Sequence, residues 1–304
     1  MTDLPSYEQL LAQAGPASAE VRAAERPSSS PPAPLPNLRL RNTAIIGGGA
    51  LVFGAYGLTS WWDDGFNRKF RARREYDFGR NAIHAGVDKL GHVYSTYVAT
   101  RAFGPLFEWA GNSPHDARKL AAWTAWGAMS AVEIIDGFSK KYSFSYEDFI
   151  ANTVGALAGY AMASDPALDD LIDLRLSYRP SPLSEYDPLG DYPGQRFHFV
   201  VKAEGVPGLR DTPVLKYLEL NLAYRAQGID TPDEWALHDF AQRRRRVYAG
   251  VSLNLAKLLS DAFYGGRKST TRTQRAAQAI LDVVQISPTG LWKRYELDDD
   301  PLAR

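Results

Sequence analysis

Six side chains able to carry charge or move protons sit in three otherwise apolar stretches. Asp88, Lys89 and His92 lie in "GVDKLGHVYSTYVATRAF" (86–103), Glu133 and Asp136 in "AVEIIDG" (131–137), and Asp148 in "SYEDFIAN" (145–152). Asp88 and His92 are four apart, so on a helix they share a face that continues to Ser95 or Thr96. Glu133 and Asp136 are three apart, Asp148 and Asn152 four apart, and each pair shares a face in the same way. An ionised carboxylate in apolar surroundings is costly unless paired, which makes Lys89 or His92 the expected partner of Glu133, Asp136 or Asp148. Three chemistries suit this set: a structural ion-pair network that fixes helix register; an acid–base site in which His92 is a general base oriented by Asp88 or Glu133; or a Zn, Mn or Fe site built from His92 and two or three carboxylates. The last lacks the paired HxxxH or HExxH spacing of dedicated metal helices.

Other candidates are more dispersed. His84, His115, His198 and His238 are isolated and read as surface or strand residues rather than ligands. Glu75, Asp77 and Asp191 reach the six only through loops. With no GxSxG elbow and no Walker-type glycine loop, serine-hydrolase elbow and P-loop chemistries have no support. The absence of cysteine removes disulfides, thiolate catalysis, Cys-ligated metals and thioether lipidation.

The elements that must position the six are helices over 87–110, 115–137 and 145–164. The first ends before "GNSPHD", the second has Gly137 as its expected C-terminal stop, and the third starts at Ser145 with Asp148 three residues on, as in a capping box. Gly155 and Gly159 give the third helix a small face for close approach. If the first two helices pack antiparallel, and the turn 136–145 brings the third back, all six groups meet at one end of a bundle that is embedded in a membrane or lies against one.

Upstream, residues 1–37 are rich in Ala, Ser, Pro and Glu and read as a disordered arm. "TAIIGGGALVFGAYGLTSWW" (43–62) carries no charge, matches a bilayer core in length and places Trp61 and Trp62 where an interfacial belt belongs, so it reads as a membrane anchor helix. A Pro- and Asp-rich connector spans 165–195. Beyond it, 196–205, 215–228 and 245–259 alternate at period two. In the middle run Leu218, Leu220, Leu222 and Tyr224 share one face and Glu219 and Asn221 the other. That pattern predicts a half-buried antiparallel sheet, too short in strand number for an outer-membrane barrel of about eight strands. A last helix over 269–287 is expected to cover the sheet. The fold class is therefore α+β: an N-terminal anchor helix (43–62), a helical bundle (63–164), and a small antiparallel sheet with a C-terminal helix (196–304).

The chain has 304 residues with 35 basic and 35 acidic side chains, a balance that argues against nucleic acid as a partner. The dense basic runs, "RKFRARR" (68–74) and "RRRR" (243–246), read as solvated or lipid-headgroup-facing surface. Partners are expected to be membrane lipids and another envelope protein.

Taken together and in order, "WW…F…E" (Trp61, Trp62, Phe70, Glu75), "DKLGHVYSTY", "EIIDGFSKKYSFSYEDFIANTVGALAGY" and "DLRLSYRPSP…DYPGQRF" resemble the YfiM-like predicted periplasmic lipoproteins, a bacterial family of unknown function, over about residues 58–260. The DK-x-x-H element also looks like that of VanZ-like membrane proteins. The resemblance places family motif positions on Asp88, Lys89, Gly91, His92, Glu133, Asp136, Gly137, Ser139, Ser145, Asp148 and Asn152, and implies a Gram-negative envelope protein on the periplasmic side. The basic residues after the anchor would instead keep the C-terminal side in the cytoplasm. Two features depart from the family: there is no cysteine to lipidate, and "EYDFG" (75–79) replaces "EGWFG". Two activities fit these observations, an envelope scaffolding or interaction module, and a membrane-surface hydrolase or transferase acting on a lipid or cell-wall substrate through His92 and Glu133 or Asp136.

Overall fold

Caps and glycines decide where this chain turns. The computed structural model describes residues 37–75, 78–79, 82, 84–181, 188–229, 244–268 and 270–298. The expected arm falls outside these but for Asn37, as do Asp77 and His238. α1 (Leu38–Ser60) carries its only charges, Arg39 and Arg41, in its first turn. Among the described residues it is the one helix long and apolar enough to cross a membrane. It starts five residues before the expected anchor and stops short of Trp61. Trp62 is not an interfacial residue: it is 4% exposed, because its indole N–H donates to Asp136 Oδ1 at 2.5 Å and its ring packs where Gly57 has no side chain.

After α1 a two-residue strand, β1 (Ala72–Arg73), precedes α2 (Val87–Ala110), which Gly111 ends at φ 107°. Ser113 caps α3 (Pro114–Phe138) by accepting from the Asp116 N–H, with Pro114 in the first turn. α3 does not stop at Gly137. That glycine is buried inside the helix, where the ring of Phe70 occupies the space a Cβ would need. β2 (Phe144–Ser145) pairs in parallel with β1 and leads into α4 (Tyr146–Ser164). Ser145 caps α4 as expected, accepting from the Asp148 N–H at 3.2 Å. The reciprocal arm of a capping box is missing, because the Ser145 N–H donates to Glu133 Oε2 instead. α2 packs on both α3 and α4, and the small face of α4 works as expected. A Cβ at Gly155 would collide with the Val93 carbonyl, and one at Gly159 would lie 2.7 Å from the Thr100 Cβ.

The connector region holds more structure than its composition suggests. α5 (Pro166–Leu171) and β3 (Ile172–Tyr178) fill its first half, followed by β4 (Gln195–Lys202), β5 (Leu218–Gln227) and β6 (Arg244–Leu253). The expected third strand therefore ends at Leu253, and its tail is α6 (Leu255–Tyr264). α7 (Arg272–Leu281) is shorter than the expected last helix and packs on α6. Beyond it Val284 bridges Leu176 and β7 (Gly290–Glu296) closes the order. The sheet is a five-stranded antiparallel meander, β3-β4-β5-β6-β7, rather than three strands.

Its two faces are distributed against the hydrophobic pattern. Leu220 is 62% and Leu222 55% exposed, while Glu219 and Asn221 are buried. Arg175 explains the buried polar face: it holds Glu219 with two hydrogen bonds of 2.7 and 2.9 Å, and pairs with Asp173, which also takes Lys202 at 2.8 Å. Such a network is tolerable only because nearly every charge in it has a partner. The same polar alternation in β3 (Asp173, Arg175, Ser177) is what makes that strand read as connector. Bundle and sheet share one core, in which Ala85 and Val87 pack with Phe197, Ala226 and Ile229. Tyr94 meets Phe197 edge to face, and the Tyr224 hydroxyl donates to the Ala85 carbonyl at 2.5 Å.

Candidate functional site

The first turn of α2, the last turns of α3 and the first turn of α4 meet at one end of the bundle, and there all six expected side chains converge. Lys89 is the centre. Its Nζ lies 2.8 Å from Asp88 Oδ2 and 2.9 Å from Asp148 Oδ1, and also bonds Glu75 Oε2. Glu75, one of the dispersed candidates, joins the set through its loop, with Arg73 on its other oxygen at 2.6 Å. All four residues around this ammonium, Glu75, Asp88, Lys89 and Asp148, are buried.

His92 is held differently. Its Nδ1 lies 3.1 Å from Asn152 Oδ1, while its Nε2 faces Glu133 Oε1 at 3.5 Å and Asp148 Oδ1 at 3.9 Å, both beyond hydrogen-bond length. Thr96 reinforces this geometry, approaching Asn152 Oδ1 at 3.0 Å and the His92 carbonyl at 2.8 Å. Asn152, not Asp88, thus orients the ring. The His92 side chain is 17% exposed against 2% for Glu133 and 8% for Asp148, so it is the most open member of this trio. Asp136 pairs with neither base and accepts the Trp62 indole instead. Asp148 Oδ1, for all its nearness to Lys89, makes no aligned hydrogen bond, and Asn152 Nδ2 is also without a partner.

Acids outnumber bases here, and burial sets their proton affinities. Burial is the largest influence on Glu133 and Asp136 and pushes them up to about 8 and about 7. It raises Asp148 as well, and the opposing pull of His92 does not cancel it. For His92, burial works downward, but the charges of Asp148, Glu133 and Asp88 outweigh it and lift the imidazole to about 9. Asp88 is the exception: burial works upward, yet the adjacent Lys89 ammonium holds it down at about 2, and the same acids raise Lys89.

Two sets of three donors lie close enough to surround one ion: His92, Glu133 and Asp148, and Glu75, Asp88 and Asp148. The Lys89 ammonium already occupies the second. In the first, separations of 3.5 and 3.9 Å suit ligands each about 2.0–2.2 Å from a common Zn²⁺.

The remaining sequence candidates lie elsewhere or behave otherwise. His84 is buried rather than on the surface, stacked on Tyr192 with ring centroids 4.6 Å apart, and burial lowers its pKa. His198 is a buried strand residue bonded to Ser177, and His115 lies exposed at the start of α3. Asp191 stays at the sheet, accepting from the Tyr178 hydroxyl, Ser181 N–H and Gly194 N–H. In the first basic run, Arg71 is no free surface charge: one guanidinium nitrogen donates to the carbonyls of Ser139, Lys140 and Tyr142. Trp62, Arg73 and Thr96 were not anticipated as cluster partners. The run "WW…F…E" gave a signal for the first and the helix face running on from Asp88 and His92 gave one for Thr96, while none existed for Arg73.

No curated protein and no solved structure matches this chain. Residues 75–164, the segment from Glu75 to the end of α4 that supplies every member of the cluster except Arg73 and Trp62, match the family described as predicted periplasmic lipoprotein (DUF2279).

Proposed function

We propose that this is a bacterial envelope protein held at a membrane by α1, with bundle and sheet on the periplasmic side acting as a scaffolding or interaction module towards membrane lipids and another envelope protein. The family match over the bundle supports the compartment, and α1 supplies the anchoring that a cysteine-free chain cannot obtain by lipidation. The carrying observation is that Lys89 joins Glu75, Asp88 and Asp148, from three separate segments, and so spends its charge inside the fold. The cluster then locks the ends of the helices together. Alanine at Glu133 tests this: loss of the cooperative thermal transition supports the lock, and an unchanged melting temperature removes it. A topology reporter fused at the C-terminus tests sidedness, with cytoplasmic activity overturning the periplasmic placement.

One observation favours a second reading, a membrane-surface hydrolase or transferase. His92 is partly open and its Nε2 stands unbonded between two acids, where a substrate proton or a metal ion fits. Under that reading His92→Ala keeps the melting temperature and loses the cellular phenotype. Zn, Mn or Fe that copurifies at one per chain, and is lost in His92→Ala, assigns the gap to a metal.

A further inference from the structure

The buried face of the sheet carries a charged feature unrelated to the bundle cluster. Strand register sets Ser177 opposite Arg196, Arg225 opposite Arg246 and Arg246 opposite Glu296. The pairing of Phe197 with Tyr224 sets Arg196 opposite Arg225 one step further on. Ser177, Arg196, Arg225, Arg246 and Glu296 therefore form one row across all five strands, with three arginines on three adjacent strands. Strands about 4.8 Å apart bring such side chains into contact, and like charges directly opposite each other are destabilising. Arg179, just past β3, adds a fourth positive charge: burial and then the charges of Arg196, Arg246 and Arg179 lower the proton affinity of Arg225.

Two rows away the same face shows how this fold neutralises a buried cation. Arg175 has Asp173 and Glu219, and Lys202 has Asp173. In the arginine row the one acid, Glu296, is already shared by Arg246 at 2.8 Å and Arg294 at 3.0 Å. Among the described residues no carboxylate pairs with Arg179, Arg196 or Arg225. Two of these guanidiniums are nonetheless fixed in place. Arg225 donates through Nε and Nη2 to the Pro193 carbonyl at 2.8 and 2.6 Å, and among the described residues Nη1 has no hydrogen-bond acceptor. Arg196 lies 4.0 Å over the Tyr248 ring, and its Nε is buried with no hydrogen-bond partner.

We propose that Arg196, Arg225 and Arg246, with Arg179 at the rim, form a binding site for a phosphate group, carried by a lipid headgroup or by a free phosphate. Planar guanidinium forks match phosphate oxygens in pairs, and several of them can surround one tetrahedral anion. An anion seated there turns the repulsion along the row into attraction.

The test uses the full chain in a phosphate-free sugar detergent at constant ionic strength. Inorganic phosphate against chloride is one arm, and mixed micelles with anionic phosphatidylglycerol against the detergent alone are the other. A melting temperature raised by about 2–4 °C in either arm is expected. A rise with phosphatidylglycerol alone identifies the headgroup as the source, and a rise with phosphate identifies the free anion. Arg225→Gln should abolish the rise while melting no lower than the wild type without ligand, since it relieves like-charge repulsion. If Arg225→Gln does not fold, Arg179→Gln at the exposed rim must reduce the rise at least twofold. No rise in either arm, or a rise that survives in both Arg225→Gln and Arg196→Gln, overturns the proposal.

Discussion

Lys89 is the side chain on which the polar end of the bundle turns. Methionine there keeps the length of the side chain but leaves Glu75, Asp88 and Asp148 facing one another without a cation. Breaking a buried network by removing one partner costs about 3–5 kcal/mol, so Lys89→Met should lower the denaturant midpoint by that equivalent. Proton affinities give a second expectation. His92 is raised to about 9, Glu133 to about 8 and Asp136 to about 7, with Asp148 raised as well. Each folded-state value lies above the unfolded one, so the folded chain holds protons that the unfolded chain releases, and stability falls as pH rises. Thermal melts from pH 6 to pH 10 should show a steady loss, steepest between about 6 and 8 and fading above about 9; a flat profile from 6 to 8 would refute these shifts. At this scale the sequence reveals the membership of the cluster, since face-sharing on a helix depends only on spacing. It does not reveal pairing: Asp136 takes the Trp62 indole, and Asn152 the imidazole, because those partners depend on how α1 and α4 lie against their neighbours.

Among the elements, the three bundle helices were legible to within about a residue, because capping groups such as Ser113 and Ser145 are local chemistry, whereas α5 and α6 were hidden in a connector and a strand tail. The strands were legible where leucine alternates with polar residues and hidden where the alternation is of charged groups, as in β3, or where most side chains are exposed, as in β7. Alternation gives the period of a strand but not which face is covered; in β5 the polar face is buried at Glu219 and Asn221, while the leucine face is open at Leu220 and Leu222 and covered only at Tyr224 and Ala226, where the bundle packs. The expected mutational pattern therefore inverts the usual one. Leu220→Ser, on the open face, should change stability by no more than about 0.5 kcal/mol. Glu219→Gln, which leaves Arg175 and Ser252 short of an acceptor charge, should cost about 3–5 kcal/mol. Paired urea melts decide the matter, and a larger loss at Leu220 would mean that the leucine face is the structural one.

Across the molecule, the described residues form one compact unit, and its two parts meet at the start of α2. Ala85 and Val87 belong to the same core as Phe197 and Ala226, so neither part buries that surface alone. Helix loss followed by circular dichroism and tertiary loss followed by tryptophan fluorescence should coincide in one transition; two separated midpoints would show independent domains. α1 meets the bundle at Asn42, bonded to Asn112, and the turn that follows it brings Trp62 to Asp136.

The hydroxyl of Tyr94 donates to the carbonyl of Val283, a bond between residues 189 apart in the chain. Contacts so distant in sequence form late, since the loop entropy must be met before they add anything. During synthesis at about 5–20 residues per second, the helices that carry the cluster therefore exist for roughly ten seconds or more before the segment that docks against them emerges. Through that interval the sheet-facing side of α2 is bare, and the nascent bundle is the state most in need of a chaperone.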